Sequence, residues 1–428
     1  MLSRSLFGYA SPAFRYELLS TTLPQPVSVP ATDSVTLLLP REMGMEPSET
    51  IKVGNRVTTG QRLAWDDQPG PAVLSTITGP IKMVETYTGD YGKKYTAVTI
   101  ERDGEEELDD QFEAAAQNLT PQVLSDYLSS APGGAPLDKL LDESKPIDTI
   151  VIYGGDTDLL VETNLYILKS QTRAVNQGIE ALKSATGIKN VVVMVPAESF
   201  QNIDGHFAAD VKAVPAAYPG AQPLMILYHL TGKMLEQGQS YEDLGMLFIR
   251  AEAVASIGKA VESGQVPTEK ILTVVDKSGN RNLVSVRLGT PIAEIFKKLN
   301  ITTAEGDRII VGGPMTGKAI YSEQQPIAAD YDALMVQDGN QITMSGDDPC
   351  INCGECIRIC PTNVPVNLLI RFLEANQYQE AADLYDLYSC VECGLCSIVC
   401  PARIPILQYI KLAKFELARV IPAEEENE

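Results

Sequence analysis

Two stretches near the end of the sequence set its architecture: Cys350-Ile-Asn-Cys353-Gly-Glu-Cys356-Ile-Arg-Ile-Cys360-Pro361 and Cys390-Val-Glu-Cys393-Gly-Leu-Cys396-Ser-Ile-Val-Cys400-Pro401. Both have the spacing C-x2-C-x2-C-x3-C-P, which is typical of proteins that bind two [4Fe-4S] clusters. The two-residue gaps let three thiolates reach three corners of one cube, while the fourth cysteine points away toward the other cube. The spacing therefore predicts two clusters with crossed ligands.

The crossing predicts which cysteines hold each cluster. The ligands of cluster 1 are predicted to be Cys350, Cys353, Cys356 and Cys400, and those of cluster 2 are predicted to be Cys390, Cys393, Cys396 and Cys360. We expect the fourth cysteine of each motif to begin a short helix, and Gly354 and Gly394 to allow a turn that brings amide groups toward sulfide. A pair of zinc sites is the alternative, but zinc sites are usually built from two C-x2-C pairs without the additional C-x3-C-P.

Composition limits the classes of protein to consider. The chain has 428 residues, enough for three or four domains. Its formal net charge of −22 argues against a nucleic-acid partner and is compatible with basic protein partners. All eight cysteines fall within the two motifs, which favours metal ligation over a disulfide framework. The sequence has no apolar run long enough to span a bilayer and no signal peptide, so we expect a cytoplasmic location.

The region before the motifs divides into a β part and an α/β part. Residues 51–63 and 73–81 alternate apolar and polar side chains around glycines, which predicts short strands. The pair resembles a lipoyl-type barrel-sandwich hybrid, without the lysine turn that would carry a swinging cofactor. Strands at 149–153 and 190–195 flank a helical stretch at 159–186, which together predict a βαβ unit.

Further segments extend this pattern toward the motifs. Residues 224–230 and 245–250 are predicted to join the same sheet, followed by a helix over 253–263. Strands at 270–276 and 283–286 with a helix at 291–299 predict a small β-grasp-like insert, after which 308–314 return as a strand to the α/β sheet. Helices are predicted over 366–375 and 378–387 between the motifs and over 407–419 after them, before a disordered acidic tail at 423–428.

The order of these parts resembles the RnfC family, which supplies one of the proteins of the Rnf electron transport complex. Several stretches carry the resemblance: 51–63 is similar to the family's VKVGDxVxxGQ segment, 147–154 to IDTLIINGAECEP, 218–232 to YPxGxEKxLIxALTG, 287–292 to RIGTPI and 311–317 to GGPMMG. The helical stretch between the motifs also resembles the alpha-helical ferredoxin of respiratory subunits. The resemblance covers nearly the whole chain.

The chain departs from the family where the family binds FMN and NADH. The family's GLGGAGFPT loop corresponds to residues 129–136, where only the glycine pair Gly133-Gly134 is kept. Its GAECEP turn corresponds to Gly154, Gly155, Asp156 and Asp158, without the cysteine and both glutamates. These six residues are the candidate remnant of a flavin and nicotinamide site. Because a phosphate cradle depends on glycine backbone, the changes favour loss of FMN and leave NADH oxidation open.

The resemblance implies a multidomain fold with α+β and α/β parts. The expected domains are a barrel-sandwich hybrid with an N-terminal arm (1–110), a Rossmann-like α/β domain (111–265), an SLBB-like β-grasp insert with a return to the α/β sheet (266–340), an alpha-helical double-cluster ferredoxin (341–422) and an acidic tail (423–428). Such an architecture is also found in soluble flavin-dependent reductases, such as the cobalamin reductase of microcompartments, and this alternative stays open here.

The resemblance also implies a function and partners. We expect a peripheral subunit of a membrane-bound, ion-translocating oxidoreductase that passes electrons between a soluble redox partner and integral membrane subunits. Other iron–sulfur, flavin or cytochrome subunits are expected beside it, on the cytoplasmic side of the membrane. The net charge of −22 favours a basic one-electron donor. No residue is predicted to be catalytic in the isolated chain.

Overall fold

The computed structural model describes residues 4–5, 8–9, 14–16, 19, 23–41, 50–65, 70, 72–200, 203, 205–346 and 348–425. In this part of the chain no helix is both long and apolar enough to cross a membrane. Residues 426–428, the end of the predicted acidic tail, lie outside the described residues.

The N-terminal region is built from short strands. They are β1 (Arg4–Ser5), β2 (Gly8–Tyr9), β3 (Val27–Ser28), β4 (Ser34–Pro40), β5 (Arg56–Val57), β6 (Arg62–Ala64), β7 (Ala72–Leu74), β8 (Gly79–Thr88) and β9 (Lys94–Glu101). One sheet has the order β4-β9-β8-β5, and β6 pairs with β7. Burial alternates along β4, so that Val35, Leu37 and Leu39 enter a core that also contains Trp65 and Ile100. The predicted all-β region is therefore confirmed.

A four-stranded parallel sheet follows the N-terminal strands in the chain. Its elements are α1 (Gln111–Ala116), α2 (Pro121–Leu128), β10 (Thr149–Tyr153), α3 (Thr163–Ser170), α4 (Thr172–Thr186), β11 (Asn190–Pro196), α5 (Ala197–Phe200), β12 (Asp210–Val214), α6 (Pro223–Thr231), β13 (Met246–Arg250) and α7 (Ala251–Ser263). The strand order is β12-β11-β10-β13, so the direction of winding reverses between β10 and β13.

The two faces of the parallel sheet are covered differently. Every residue of β10 is buried, as is usual for a parallel strand covered on both sides. Ile150 and Ile152 pack in the core that contains α3, α4 and α7. Val151 and Tyr153 face a second core, which contains α6 together with side chains of the second cysteine motif. The second cysteine motif thus packs on this face of the sheet.

A six-stranded sheet follows. It contains β14 (Glu269–Val275), β15 (Arg281–Arg287), β16 (Arg308–Val311), β17 (Lys318–Ile320) and β18 (Ala333–Gln337), with α8 (Ile292–Leu299) packed on it. The order is β17-β16-β18-β14-β15-β3, so the N-terminal strand β3 joins its edge. The helices of the C-terminal region are α9 (Glu355–Ile359), α10 (Val366–Glu374), α11 (Tyr378–Tyr385), α12 (Leu395–Ile398) and α13 (Ile406–Glu425).

Three expectations about this framework are wrong. Residues 224–230 form helix α6, because a short apolar run does not distinguish a strand from a buried helix. Pro223 at its first turn and Gly232 at its C-cap, in the left-handed conformation, were the signals for a helix. Residues 308–311 do not return to the parallel sheet but pair with β17 and β18 in the six-stranded sheet. The acidic tail is helical as far as Glu425 instead of disordered from residue 423.

Candidate metal centres

Each cysteine motif forms a loop followed by a short helix. Gly354 and Gly394 have φ angles of +77° and +75° and occupy the N-cap positions of α9 and α12. This left-handed conformation suits glycine, as the sequence predicted. The fourth cysteine does not begin a helix, however. Cys360 is the C-cap of α9 and Cys400 follows α12, because the helical turn starts at the glycine and contains the third cysteine.

Four of the predicted ligands line one small cavity. Cys350, Cys353 and Cys356 of the first motif share it with Cys400 of the second motif, and Ile404 is among its apolar lining residues. Cys400 is thus brought to the first motif although it is more than 40 residues away from these three cysteines in sequence. This set of four is the one that the crossed assignment predicts for cluster 1.

The other four cysteines also lie near one another. Cys360 lies within electrostatic reach of Cys390, Cys393 and Cys396, because in its ionised form it would raise the pKa of each; ionised Cys356 would act on Cys396 in the same way. Cys393 and Cys396 are only 7% and 8% exposed, whereas Cys353 in the first set is exposed. The second set is therefore the more deeply enclosed of the two.

Burial sets the protonation of these thiols. It raises the pKa of Cys356 to about 11, with further increases from the charges of Cys350 and Cys353. It raises the pKa of Cys390 to about 11 and that of Cys393 to about 12. Without a bound cation the buried sulfurs are thus neutral thiols at pH 7, and binding of iron must release protons.

The all-cysteine donor sets suit iron–sulfur cubes. In the described part of the chain no three His, Cys, Asp or Glu side chains converge on a point that could hold one metal ion. A cube instead separates its four cysteines at its corners. The backbone N–H of Glu392 points at Cys390 Sγ from 3.4 Å, which is the kind of contact that stabilises a thiolate ligand.

The second motif is anchored to the parallel-sheet region by contacts that the sequence did not predict. The Tyr218 hydroxyl donates to the Cys393 carbonyl at 2.7 Å. A Cβ atom on Gly394 would lie 2.6 Å from the carbonyl oxygen of Met315, so only glycine fits at this contact. Lys411 of α13 donates to the Thr316 carbonyl at 3.2 Å. Tyr218 and the 312–317 turn fall in stretches that carry the family resemblance, but nothing in the sequence showed that they meet this motif.

A lysine of α13 and an open cleft lie beside the second set. Lys414 donates to the Cys390 carbonyl at 2.8 Å and pairs with Glu392 at 3.0 Å. Its positive charge opposes the burial that raises the pKa of the Cys390 thiol. The cleft reaches from the surface to Cys390, and Ala418 is among its lining residues.

The glycines of the candidate flavin remnant are used inside the fold. The amide of Gly133 donates to the Ala329 carbonyl at 2.8 Å, and that of Gly154 donates to the Met194 carbonyl at 2.8 Å. A Cβ atom on Gly133 would lie 2.2 Å from the backbone nitrogen of Ala253. Similar atoms on Gly154 and Gly155 would meet Leu168 and Ala221, and one on Gly134 would lie 3.2 Å from Asp330 Cβ. These glycines therefore allow close packing of the chain on itself.

The two acids of the remnant are also buried and satisfied within the chain. Asp156 accepts from the backbone amides of Asn164 and Leu165 at 2.8 and 3.3 Å, at the start of α3. Burial raises the pKa of Asp156 to about 7. Asp158 accepts from the amides of Leu159, Met315 and Thr316 and from the Thr316 hydroxyl, at 2.7 to 3.0 Å. It therefore fixes the 312–317 turn, the same turn that contacts the second cysteine motif.

Two family models match parts of the chain. One, described as the RnfC barrel sandwich hybrid domain, matches residues 20–105, and the other, a 4Fe-4S dicluster domain, matches residues 335–404. The predicted barrel-sandwich and iron–sulfur ferredoxin parts are confirmed at this level, together with the mixed α/β content between them.

Similar proteins belong to ion-translocating complexes, in each of which they are the C subunit. The C subunit of the ion-translocating oxidoreductase complex of Pectobacterium carotovorum is 25% identical over 92% of this chain and 55% of its own length. Its counterpart in Rhodobacter capsulatus is 24% identical over 83% of this chain and 72% of its own. The C subunit of the proton-translocating ferredoxin:NAD(+) oxidoreductase complex of Clostridium ljungdahlii is 25% identical over 92% of this chain and 91% of its own. The chain thus spans little more than half of the first relative and nearly all of the last.

Proposed function

We propose that this chain, which is RnfC-like, is the peripheral iron–sulfur subunit of a membrane-bound, ion-translocating oxidoreductase complex of the Rnf type. In this role it relays electrons between a soluble redox partner and the integral membrane subunits. The observation that carries the proposal is the cavity in which Cys350, Cys353 and Cys356 of the first motif meet Cys400 of the second. When bound, a [4Fe-4S] cluster accepts and donates single electrons.

Each set of four cysteines would hold one cluster. Cys350, Cys353, Cys356 and Cys400 would hold cluster 1, and Cys390, Cys393, Cys396 and Cys360 would hold cluster 2. Apolar side chains pack around the buried sulfurs of both sets. Amide contacts and the nearby Lys414 charge favour thiolate in the second set.

The division into domains is part of the same proposal. The boundaries are 1–110, 111–265, 266–340, 341–422 and 423–428. The parallel sheet with its reversal between β10 and β13 supports a Rossmann-like interpretation of the second unit. The pair β14 and β15 with helix α8 supports an SLBB-like β-grasp insert in the third, although β16 and β18 extend the same sheet.

We further infer that the chain has lost its flavin and nicotinamide site. Ligands of parallel α/β folds bind outside the carboxyl ends of the strands, at the point where the winding reverses. Here that point lies after β10 and β13, where Arg250 pairs with Asp332 at 3.1 Å and donates to the Gly133 carbonyl at 3.3 Å. Asp156 and Asp158 are engaged as described above. Because the chain fills the position with its own groups, FMN and NADH are expected to be absent.

The soluble reductase alternative requires the flavin site that these contacts fill. A cobalamin reductase that takes hydride from NADH would need FMN to convert hydride into single electrons. The proposal instead expects electrons to arrive singly from another protein. The partners would be integral membrane subunits and further iron–sulfur, flavin or cytochrome subunits, with the chain on the cytoplasmic face of the membrane.

Cofactor quantification tests this function. The chain is purified anaerobically, and iron and flavin are measured per chain, followed by addition of NADH while the cluster absorbance is recorded. We expect about eight irons, no flavin, and no bleaching by NADH, but bleaching by a reduced one-electron protein. One tightly bound FMN per chain with rapid bleaching by NADH would support the reductase instead.

Membrane association is tested separately. The chain is expressed alone or together with the integral subunits of the complex from the same genome, and membranes are then isolated. We expect it to be found with membranes only when those subunits are present. Binding of the purified chain alone to lipid vesicles would contradict a location that depends on partners.

A further inference from the structure

The two cysteine motifs are held differently at one equivalent position. The residue before the second cysteine is Asn352 in the first motif and Glu392 in the second, and both adopt the left-handed conformation, with φ angles of +57° and +55°. The side chain of Asn352 accepts from the side-chain amide of Asn367 in α10 at 2.7 Å. The carboxylate of Glu392 pairs with the ammonium group of Lys414 in α13 at 3.0 Å. The second motif therefore has an ion pair where the first has an uncharged hydrogen bond.

Lys414 also contacts one of the predicted cluster ligands. Its ammonium group donates to the Cys390 carbonyl at 2.8 Å. Only 19% of the Lys414 side chain is exposed, against 36% of the Glu392 side chain. Solvent and salt screen a buried charge less than an exposed one. The positive charge is therefore hydrogen-bonded to the ligand's own backbone and is less screened than the negative charge that opposes it.

The first motif has a corresponding cation that is open to solvent. The Arg358 guanidinium donates to the Cys353 carbonyl at 3.1 Å and pairs with Glu355. Because 51% of the Arg358 side chain is exposed, its charge is screened more strongly than that of Lys414. Each motif thus combines a cation on a cysteine carbonyl with a neighbouring acid, and the two arrangements differ in burial.

Burial and positive charge act on a cluster in opposite directions. Reduction adds one negative charge to a cube. Apolar surroundings disfavour that charge and lower the reduction potential, whereas a nearby cation favours it and raises the potential. Cys393 and Cys396 are buried, so burial alone would make the cluster that they hold difficult to reduce. Lys414 is placed to offset this effect.

We propose that Lys414 raises the reduction potential of cluster 2 through its buried ammonium group and so keeps that cluster able to exchange single electrons with cluster 1. The proposal rests on the proposed function and names a residue that sets the potential of one of its two clusters. Glu392 opposes Lys414 and moderates its effect. Arg358 influences cluster 1 less, because its charge is solvated.

Potentiometric EPR on the anaerobically purified full chain tests the proposal. The potentials of both clusters are measured in the unaltered chain, in Lys414→Met, which removes the charge, and in Lys414→Arg, which keeps it. We expect Lys414→Met to lower the equilibrium constant for reduction of cluster 2 about tenfold, a fall of about 59 mV, and to leave that of cluster 1 within about twofold. Lys414→Arg should stay within about twofold of the unaltered chain at both clusters. No fall in Lys414→Met, or an equal fall in both variants, would overturn the proposal.

Two further substitutions remove a positive charge elsewhere in the chain. Arg358→Met removes the corresponding cation of the first motif and should lower the equilibrium constant for reduction of cluster 1 by no more than about threefold, since that charge is solvated. Lys297→Met removes a charge from α8 at a side chain that is 76% exposed and should shift neither cluster. The proposal fails if Arg358→Met shifts cluster 1 as much as Lys414→Met shifts cluster 2, or if Lys297→Met shifts cluster 2 equally.

Glu392→Gln tests the sign of the effect without altering Lys414. Removal of the opposing carboxylate should raise the equilibrium constant for reduction of cluster 2 about threefold. This variant also decides the question if cluster 2 does not assemble in Lys414→Met. A rise in the potential of cluster 2 in Glu392→Gln supports the proposal, and no change or a fall overturns it.

Iron content separates this proposal from the proposed function. If the unaltered chain lacks the two clusters, with fewer than about eight irons per chain, the proposed function fails. If both clusters are present in all variants and the potential of cluster 2 does not depend on residues 392 and 414, only the role of Lys414 is wrong.

Discussion

The two cysteine motifs share one spacing but have different surroundings. The second rests on the parallel sheet, where Val391, Cys393 and Leu395 pack beside Val151 and Tyr153. In the first motif Cys356 and Ile359 are also buried, but Cys353 and Ile351 are exposed. A motif therefore specifies which metal group is held, while the elements packed against it decide whether the group faces a partner or the protein interior.

The anchoring of the second motif uses residues from the candidate flavin remnant. Asp158 holds the 312–317 turn, and that turn contacts Gly394 and Lys411. By its resemblance to the RnfC family, Asp158 corresponds to a position in a turn beside the cofactors. In this chain the same position supports the attachment of the ferredoxin part to the α/β part. The difference between the motifs can be tested by changing each contact in turn.

The largest effect is expected from the crossed cysteines. Cys400→Ser should abolish the EPR signal of the cluster held by Cys350, Cys353 and Cys356, although residue 400 belongs to the second motif. Cys360→Ser should abolish the signal of the other cluster. Each variant is expected to lose about four irons, measured by iron analysis, because a cube needs all its ligands for stable binding. If each substitution removed the cluster of its own motif, the crossed assignment would be wrong.

A smaller effect is expected from Asp158→Asn. The amide keeps one acceptor but turns an N–H group toward donors of the 312–317 turn, which should lower the unfolding free energy by about 3 kcal/mol. The second cluster should then decay faster in air than the first, as followed by EPR after timed exposure. Asp142→Asn, at an exposed turn, is the control and should change neither cluster. Equal acceleration of both clusters would show that the turn does not protect the second motif selectively.

The sequence was sufficient to predict these motifs and most of the elements, because spacing and periodicity are local properties. It was not sufficient for helix α6, where a short apolar run fits either a strand or a buried helix. Strand β16 was assigned to the wrong sheet because pairing depends on distant partners. The bond from Tyr218 to the Cys393 carbonyl joins residues 175 positions apart, and no local pattern contains such a contact.

A further prediction concerns that bond. Tyr218→Phe removes the buried hydrogen bond to the Cys393 carbonyl and the longer one, at 3.5 Å, that the hydroxyl accepts from the Gln222 side chain. It keeps the ring, which packs edge-on against Tyr16 with 5.7 Å between the centroids. We expect a loss of about 1 kcal/mol in unfolding free energy. The reduction potential of the second cluster should fall, because the Cys393 carbonyl dipole near it is no longer neutralised by a donor. Potentiometric EPR measures the reduction potentials of both clusters. Tyr228→Phe, which changes an exposed tyrosine, is the control. A shift in the reduction potential of the first cluster would contradict a local effect.

The smallest effect on the clusters is expected at Asp156, the neighbour of Asp158 that does not contact the 312–317 turn. Burial raises the pKa of Asp156 from 3.8 to about 7, so its carboxyl group binds a proton in the folded chain that it has released in the unfolded chain. Folded stability from this group is therefore present below pH 3.8 and lost as the pH rises through about 7. The shift corresponds to roughly 4 kcal/mol across that range.

Asp156→Asn cannot ionise and should flatten the decline in unfolding free energy between about pH 5 and pH 8, measured by denaturant titration, while both cluster signals stay unchanged. An unaltered pH slope would mean that the carboxyl group of Asp156 is already ionised in the folded protein at about pH 5. Selective loss of the second cluster would mean that both acids, rather than Asp158 alone, anchor the second motif.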